Sequence, residues 1–506
     1  MRLHARFLLT FVALGLLAAC NPGVRQDAAM LQTKGDVLAP IPSPAVNQQP
    51  KQNLNAGEID DNSQYGSYLQ YRDDFLRMNS YAVHDIDVSQ KQLITVTDQQ
   101  NHPVIGARVS VYDQQNLIAE SRTYANGETA FFPKAWTQGQ NAPNYRVVVQ
   151  KENTAVEFKL DPQSGSSWNI QFNNVQQVKQ TPLDILFLLD TTGSMGDEIA
   201  QLQNNILAIS EHVNQLQNNV DVHYGLVLYR DRGDEYVTQT HDFVSNVNDF
   251  QAQLNMVRAG GGGDTPESLN EGLHAAVQGV SWRGDDAVKL IFLVADAPPH
   301  LDYANDYNYT QEMAAAAWHG IKVYPIASSG LSSDGEFIFR QIAQYTLGHF
   351  LFLTYQQGTS GATGSERTDL QAGSSGNYTV DQLDELVEKL IVEEVTSLTT
   401  VVNPTGTVPQ VVSVAPQKAD TMPASFALAQ SQYRPPASVS VPVPNPPPAP
   451  YIPPRSTVPQ INISVSLADV VLVVVILIGA GYWLFSSRTV EKRKRKNEEI
   501  LLEGEE

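Results

Sequence analysis

A doubly wound, mostly parallel α/β sheet, joined to a smaller N-terminal all-β sandwich and a single C-terminal transmembrane helix, is the fold class that the sequence predicts. Three observations predict it. Between residues 181 and 397, short apolar runs alternate with segments of helical apolar spacing. Between 86 and 175 the apolar spacing changes to a period of two, broken by turn signals. Residues 465–486 carry Asp469 as their only charge and precede the basic run Lys492–Lys496.

From the N-terminus, Arg2 and Arg6 form a basic region before an apolar run, Phe7–Leu16, too short to span a bilayer, so residues 1–19 read as an export signal. Leu17-Ala18-Ala19-Cys20 resembles the lipobox of bacterial lipoproteins, which implies lipidation of Cys20, the single Cys of the chain. That Cys excludes an intramolecular disulfide and any Cys-based zinc cluster. Residues 20–60, rich in Pro, Gln, Asn and Ala, read as a disordered tether. Residues 61–85 are unassigned and possibly helical.

In 86–175 the alternating runs Leu93-Thr95-Thr97, Arg108-Ser110-Tyr112, Ala130-Phe132, Arg146-Val148 and Val156-Phe158 read as strands of a sandwich. The stretch VTDQQNHPVIGARVSVYD, followed by TYANGETAFFP, resembles the carboxypeptidase-regulatory-like sandwich, whose modules are mostly spacers. In 181–397, Leu183–Leu189 is apolar but for Asp184, as expected of a strand buried on both faces. An amphipathic helix follows, with Ile199, Leu202, Ile206, Ile209, Val213 and Leu216 on one face. Further strands are expected at Val222–Tyr229, Val237–Phe243, Lys289–Val294, Ile321–Ile326 and Phe350–Leu353, and a closing helix from Val380 to about Leu398. The Gly/Ser-rich stretch Gln356–Thr379 reads as a loop. Residues 399–460 hold 15 of the 29 Pro and read as a stiff polyproline stalk. Residues 465–486 are expected to span the membrane, leaving 487–506 as a cytoplasmic tail. The chain is thus expected at the cell membrane as a single-pass protein with a lipidated N-terminus and its bulk outside the cytoplasm.

The composition sets limits on partners. With 33 basic and 54 acidic residues the formal charge is −21, which argues against nucleic acid. Chemistry concentrates at three places expected on one rim of the sheet. Asp190-Thr191-Thr192-Gly193-Ser194 ends the first buried strand, Asp264-Thr265-Pro266-Glu267 follows Gly260–Gly263, and Asp296 follows the fourth. Ligands bind at such carboxyl ends. Each piece alone also reads as helix or turn punctuation. Together they form an all-oxygen set suited to Mg²⁺, Mn²⁺ or Ca²⁺ rather than zinc.

At these residues the chain resembles the von Willebrand factor type A (VWA) domain, a Rossmann-like fold with a metal-ion-dependent adhesion site (MIDAS). The wording DTTGSMGDEI, YRDRGDEY, GGGGDTPES and ADAPPH is closest to a subgroup that includes domains attached to alpha-type kinases. The resemblance implies metal ligation by Asp190, Thr192, Ser194, Thr265 and Asp296, with Thr192 where Ser is usual. It implies recognition of a protein partner whose carboxylate completes the coordination, for adhesion or assembly. Loop Arg230–Glu235, with Arg230, Asp231 and Asp234, is a candidate rim for that contact. No catalytic residues are assigned, so the chain is not expected to be an enzyme. A structural envelope tether with a vestigial metal site is the alternative, and a metal-dependent hydrolase a more remote one.

Overall fold

The apolar run Leu183–Leu189 becomes the centre of a sheet because side chains on both of its faces find cover. The computed structural model describes residues 55–78, 82–136, 144–173, 175, 180–215, 220–328, 330–354, 379–403, 405–417 and 432–434. Its strands are β1 (Asn55–Ile59), β2 (Val83–Asp85), β3 (Gln92–Thr97), β4 (Arg108–Asp113), β5 (Asn116–Arg122), β6 (Glu128–Phe131), β7 (Tyr145–Lys151), β8 (Thr154–Leu160), β9 (Ser167–Gln171), β10 (Thr181–Asp190), β11 (Val220–Tyr229), β12 (Thr238–Val244), β13 (Val288–Ala295), β14 (Ile321–Ala327), β15 (Phe350–Thr354), β16 (Thr379–Gln382), β17 (Val412–Val414) and β18 (Gln432–Arg434).

The main sheet has the order β12-β11-β10-β13-β14-β15-β1-β16. Strands β11, β10, β13, β14 and β15 are parallel, β12 is antiparallel to β11, and β1 is antiparallel to both β15 and β16. Along β10 the side chains alternate between two cores. Leu186 and Leu188 join Leu273, Met313 and Phe337 on one face. Leu183, Ile185, Phe187 and Leu189 join Ile199, Leu202, Phe250 and Leu386 on the other. The chain leaves β10 toward β11 and later returns to place β13 on the other side of β10. Strand order therefore reverses between β10 and β13, where the crevice that binds ligands in such sheets forms.

Three segments differ from the sequence expectation, 55–59, parts of 399–460 and 379–382, while a helix does form within 61–85. Residues 55–59, expected within the tether, form β1, and Tyr65–Met78 is a helix packed on the same sheet. Phe75 of that helix stacks on Phe337 at 4.2 Å. Asp61 receives two hydrogen bonds from the buried Arg340, at 2.9 and 2.7 Å. In the NAGEI sequence of β1 the apolar Ala56 and Ile59 are too few to show a period. Part of 399–460 also returns to the fold: β17 pairs with β8 and β18 with β2. The closing helix begins at Leu383, because Thr379–Gln382 pairs with β1 as a strand.

The sandwich consists of sheets β17-β8-β7-β4-β5 and β6-β3-β9 around Val96, Val109, Val147, Phe158, Trp168 and Ile170. It meets the main sheet through apolar side chains, among them Phe132 and Ala125, and through polar groups. Arg122 Nε donates to Asp285 at 2.7 Å, Lys151 Nζ to Asp286 at 2.5 Å and Trp318 Nε1 to Glu120 at 2.9 Å. Next to this seam, burial and then the charges of Lys289 and Arg122 hold the His319 imidazole down at about 4. Its ordinary value is 6.5, so between pH 6.5 and about 4 the unfolded chain binds the extra proton. Stability should therefore fall as pH drops through that window. His319→Gln should flatten this part of a urea-midpoint profile, and an unchanged slope would assign the loss to other groups.

The expected fold class needs correction in one respect. The described fold is mixed α/β with no membrane-spanning helix, for no helix among the described residues is long and apolar enough to cross a membrane. The 20-residue helix Gly196–Gln215 is amphipathic, with Ile199, Leu202 and Ile206 buried and Asp197, Glu198 and Glu211 in its sequence. The same finding overturns the single-pass placement at the cell membrane. The segments on which that placement rested, residues 1–19, Cys20, 465–486 and 487–506, lie outside the described residues. So do 355–378, which hold nearly all of the Gly/Ser-rich stretch.

Candidate functional site

Asp190 closes β10 as a fully buried residue, and Thr192 two positions later is equally buried. The loop between them is fixed by the aspartate itself: Thr192 donates to Asp190 Oδ1 from its backbone N–H at 2.9 Å and from its hydroxyl at 2.7 Å. Ser194 Oγ lies 3.2 Å from Thr192 Oγ1, so the two hydroxyls face one another. Asp296, one residue beyond β13, is held on the neighbouring strand end. Four of the five expected ligands thus come together at the switch point. The fifth, Thr265, is exposed on the loop that follows the glycines and precedes a cis Thr265–Pro266 bond.

The glycine loop is laced to this strand end. Gly260 N–H donates to the Thr191 carbonyl and Gly193 N–H to the Gly261 carbonyl, both at 3.0 Å. Gly261 and Gly262 have φ of 76° and 68°, the left-handed region that glycine tolerates best. A Cβ on Gly261 would lie 2.3 Å from the Asp234 carboxylate, and one on Gly262 only 3.2 Å from Thr192 Cβ.

The proposed rim residues turn inward. Arg230 is 7% exposed; its guanidinium donates to the carbonyls of Thr191 at 3.2 Å and Arg258 at 2.9 Å and lies over the Tyr236 ring at 4.4 Å. Asp231 is buried and accepts from Ser268 and Tyr303 hydroxyls at 3.0 Å. Asp234 Oδ2 accepts the Gly262 N–H at 2.8 Å. These side chains brace the loops around the site.

Electrostatically the site is an uncompensated acidic hollow. Asp190 Oδ2, Asp296 Oδ1 and Glu267 Oε2 are buried and receive no hydrogen bond. Burial, and then the charge of Asp296, raises the Asp190 carboxyl well above the usual range. Asp296 is also raised by burial, although a hydrogen bond from Ser194 works against it. Burial, then the charges of Asp190, Asp296 and Glu267 and a contact with the Asp190 carboxyl, raise the Tyr229 phenol well above its ordinary value. Orphaned carboxylate oxygens beside paired hydroxyls fit a cation. Among the described residues no group of three or more His, Cys, Asp or Glu side chains is set to hold a metal by itself.

Glu267 is the residue that sequence reasoning did not place in the site. Thr265-Pro266-Glu267 reads as the start of a helix, yet the helix begins at Leu269. Glu267 instead lies extended against the loop after Asp296: its N–H donates to the Pro298 carbonyl, and its carbonyl accepts the His300 N–H, both at 3.0 Å.

Residues 184–353 match the family model of the von Willebrand factor A domain. The alpha-protein kinase vwkA of Dictyostelium discoideum is 29% identical over 119 residues, covering 23% of this chain and 19% of that protein. The von Willebrand factor A domain-containing protein 7 of Homo sapiens is 38% identical over 122 residues, 24% of this chain and 12% of that protein. A putative ariadne-like RING finger protein, R811, of Acanthamoeba polyphaga mimivirus is 31% identical over 137 residues, 26% and 13% of the two chains. The matches span less than a fifth of the length of these relatives. Among solved structures, proximal thread matrix protein 1 of the mussel byssus aligns over 33% of this chain and 42% of its own, at 17% identity and a TM-score of 0.27.

Proposed function

We propose that the von Willebrand factor A domain of residues 184–353, a domain type that commonly mediates protein–protein interaction, binds a divalent cation and through it an acidic group of a protein partner. The observation that supports this most is the pair of buried, hydrogen-bond-free oxygens Asp190 Oδ2 and Asp296 Oδ1 beside the Thr192 and Ser194 hydroxyls. Asp190, Thr192, Ser194 and Asp296 would hold the ion, with Thr265 set apart on its exposed loop, and an oxygen-only set suits Mg²⁺, Mn²⁺ or Ca²⁺. When bound, the ion supplies a Lewis-acidic centre for a partner carboxylate. The chain's own part is to hold the hydroxyls in place through Asp190 and to keep the loops rigid through Arg230 and Asp234. This is a binding role rather than a catalytic one.

Ligand-linked stability tests it. Mg²⁺ or Mn²⁺ at 100 times its Kd should stabilise the chain by about 2.7 kcal/mol, read as a raised thermal midpoint. Asp190→Ala should abolish the rise. A wild-type midpoint that neither ion moves would sink the reading and leave a purely structural role.

A further inference from the structure

We infer that Glu267 supplies a third buried negative charge to the cation site, acting by its charge rather than as a direct ligand, so that the site discriminates ions by valence. The inference rests on the metal reading above. Glu267 is 3% exposed, and its Oε2 is buried without a hydrogen bond. Its other oxygen borders the same glycine as Thr192: a Cβ on Gly262 would lie 3.0 Å from Glu267 Oε1 and 3.2 Å from Thr192 Cβ. Among the described residues no cation pairs with it. The nearby Arg230 and Arg232 are turned to other partners, Arg230 to Thr191, Arg258 and Glu235, and Arg232 to Glu271 and Asp306. Backbone bonds on both sides, to Pro298 and His300, keep the residue from swinging into solvent. A carboxyl fixed in this way beside Asp190 and Asp296 would add its charge to the field felt by a cation that enters.

Asp190, Asp296 and Glu267 together offer three negative charges. An ion of charge three gains more from the third than an ion of charge two, by one full charge–charge interaction. At a separation of several ångströms inside a protein that difference corresponds to about tenfold in affinity or more.

The experiment measures Tb³⁺ and Mn²⁺ affinities of the full chain by calorimetry and compares their ratio among variants. Glu267→Gln should lower the Tb³⁺ preference at least about tenfold, with near-UV circular dichroism unchanged, and Glu267→Asp should keep it. A ratio unchanged in Glu267→Gln, while Asp190→Ala still loses both ions, would overturn this inference and leave the metal reading intact. A wild-type chain that binds neither ion would overturn the metal reading itself. Loss of the preference in Glu267→Asp, where the charge is retained, would mark a steric role and overturn the inference as well.

Discussion

A chain that begins at residue 86 is expected to lack a cooperatively folded main sheet, although it keeps the whole of the von Willebrand factor A match. Strand β1 is interior to that sheet, flanked by β15 and β16. Its loss leaves the edge of β15 unpaired, and β16 without its hydrogen-bonded neighbour. The helix Tyr65–Met78 buries Tyr68 and Phe75 against Phe337 and its neighbours, and Ile59 and Val83 join the same core. Four such side chains contribute about 6–12 kcal/mol of burial. That is comparable with the entire stability of an ordinary domain, about 5–15 kcal/mol. Polar ties go as well, among them His84 N–H to the Tyr309 hydroxyl and Gln341 Nε2 to the His84 carbonyl, both at 2.8 Å. Chains starting at 55 and at 86 should be compared by near-UV circular dichroism and urea unfolding. A sigmoidal transition with the same midpoint in both would refute the expectation.

Arg340→Met should cost about 3–5 kcal/mol, since it breaks a buried pair and leaves carboxylates behind. Arg340 donates to both oxygens of Asp61 and to Glu336 Oε1 at 3.0 Å, and its guanidinium lies 3.7 Å from the Tyr71 ring. Asp61 and Glu336 are 2% and 0% exposed. Burial already raises the Asp61 carboxyl despite the hydrogen bonds and charge of Arg340, so without the cation little offsets its desolvation. Methionine keeps the length and flexibility of the stem, which isolates the charge. The triple variant Arg340→Met, Asp61→Asn, Glu336→Gln should recover most of the loss, because no charge then remains stranded. A single-variant effect below about 1 kcal/mol in urea would place the pair among weak surface bridges.

What the sequence made legible follows from how much of the signal is local. Largely apolar runs at Leu183–Leu189 and Lys289–Val294 declare strands covered on both faces, and the strands appear there with small extensions. Asp190, Thr192 and Ser194 were readable because strand, acid and hydroxyls fall within five residues. Strand β1 was not, since its pairing with β15 is decided by residues 300 positions away and its own five residues show no alternation. Arg230, Asp231 and Asp234 looked like a free charged rim; only the coordinates bring the glycine loop and Thr191 against them. Glu267 was masked by a local alternative, a helix cap with Pro at the first turn, which the chain does not use.

The placement of β1 also sets a clock on biosynthesis. Asn62 is tied to the Gly348 carbonyl, 286 residues further along the chain. At about 5–20 residues per second, the ribosome needs roughly a quarter of a minute to a minute to deliver that partner. During that interval Tyr68 and Phe75 have no core to enter, while the sandwich strands β3 to β9 have already emerged. Nascent chains should therefore expose an apolar N-terminal helix to chaperones until β15 arrives, and the sandwich should become protease-resistant before the sheet that flanks it.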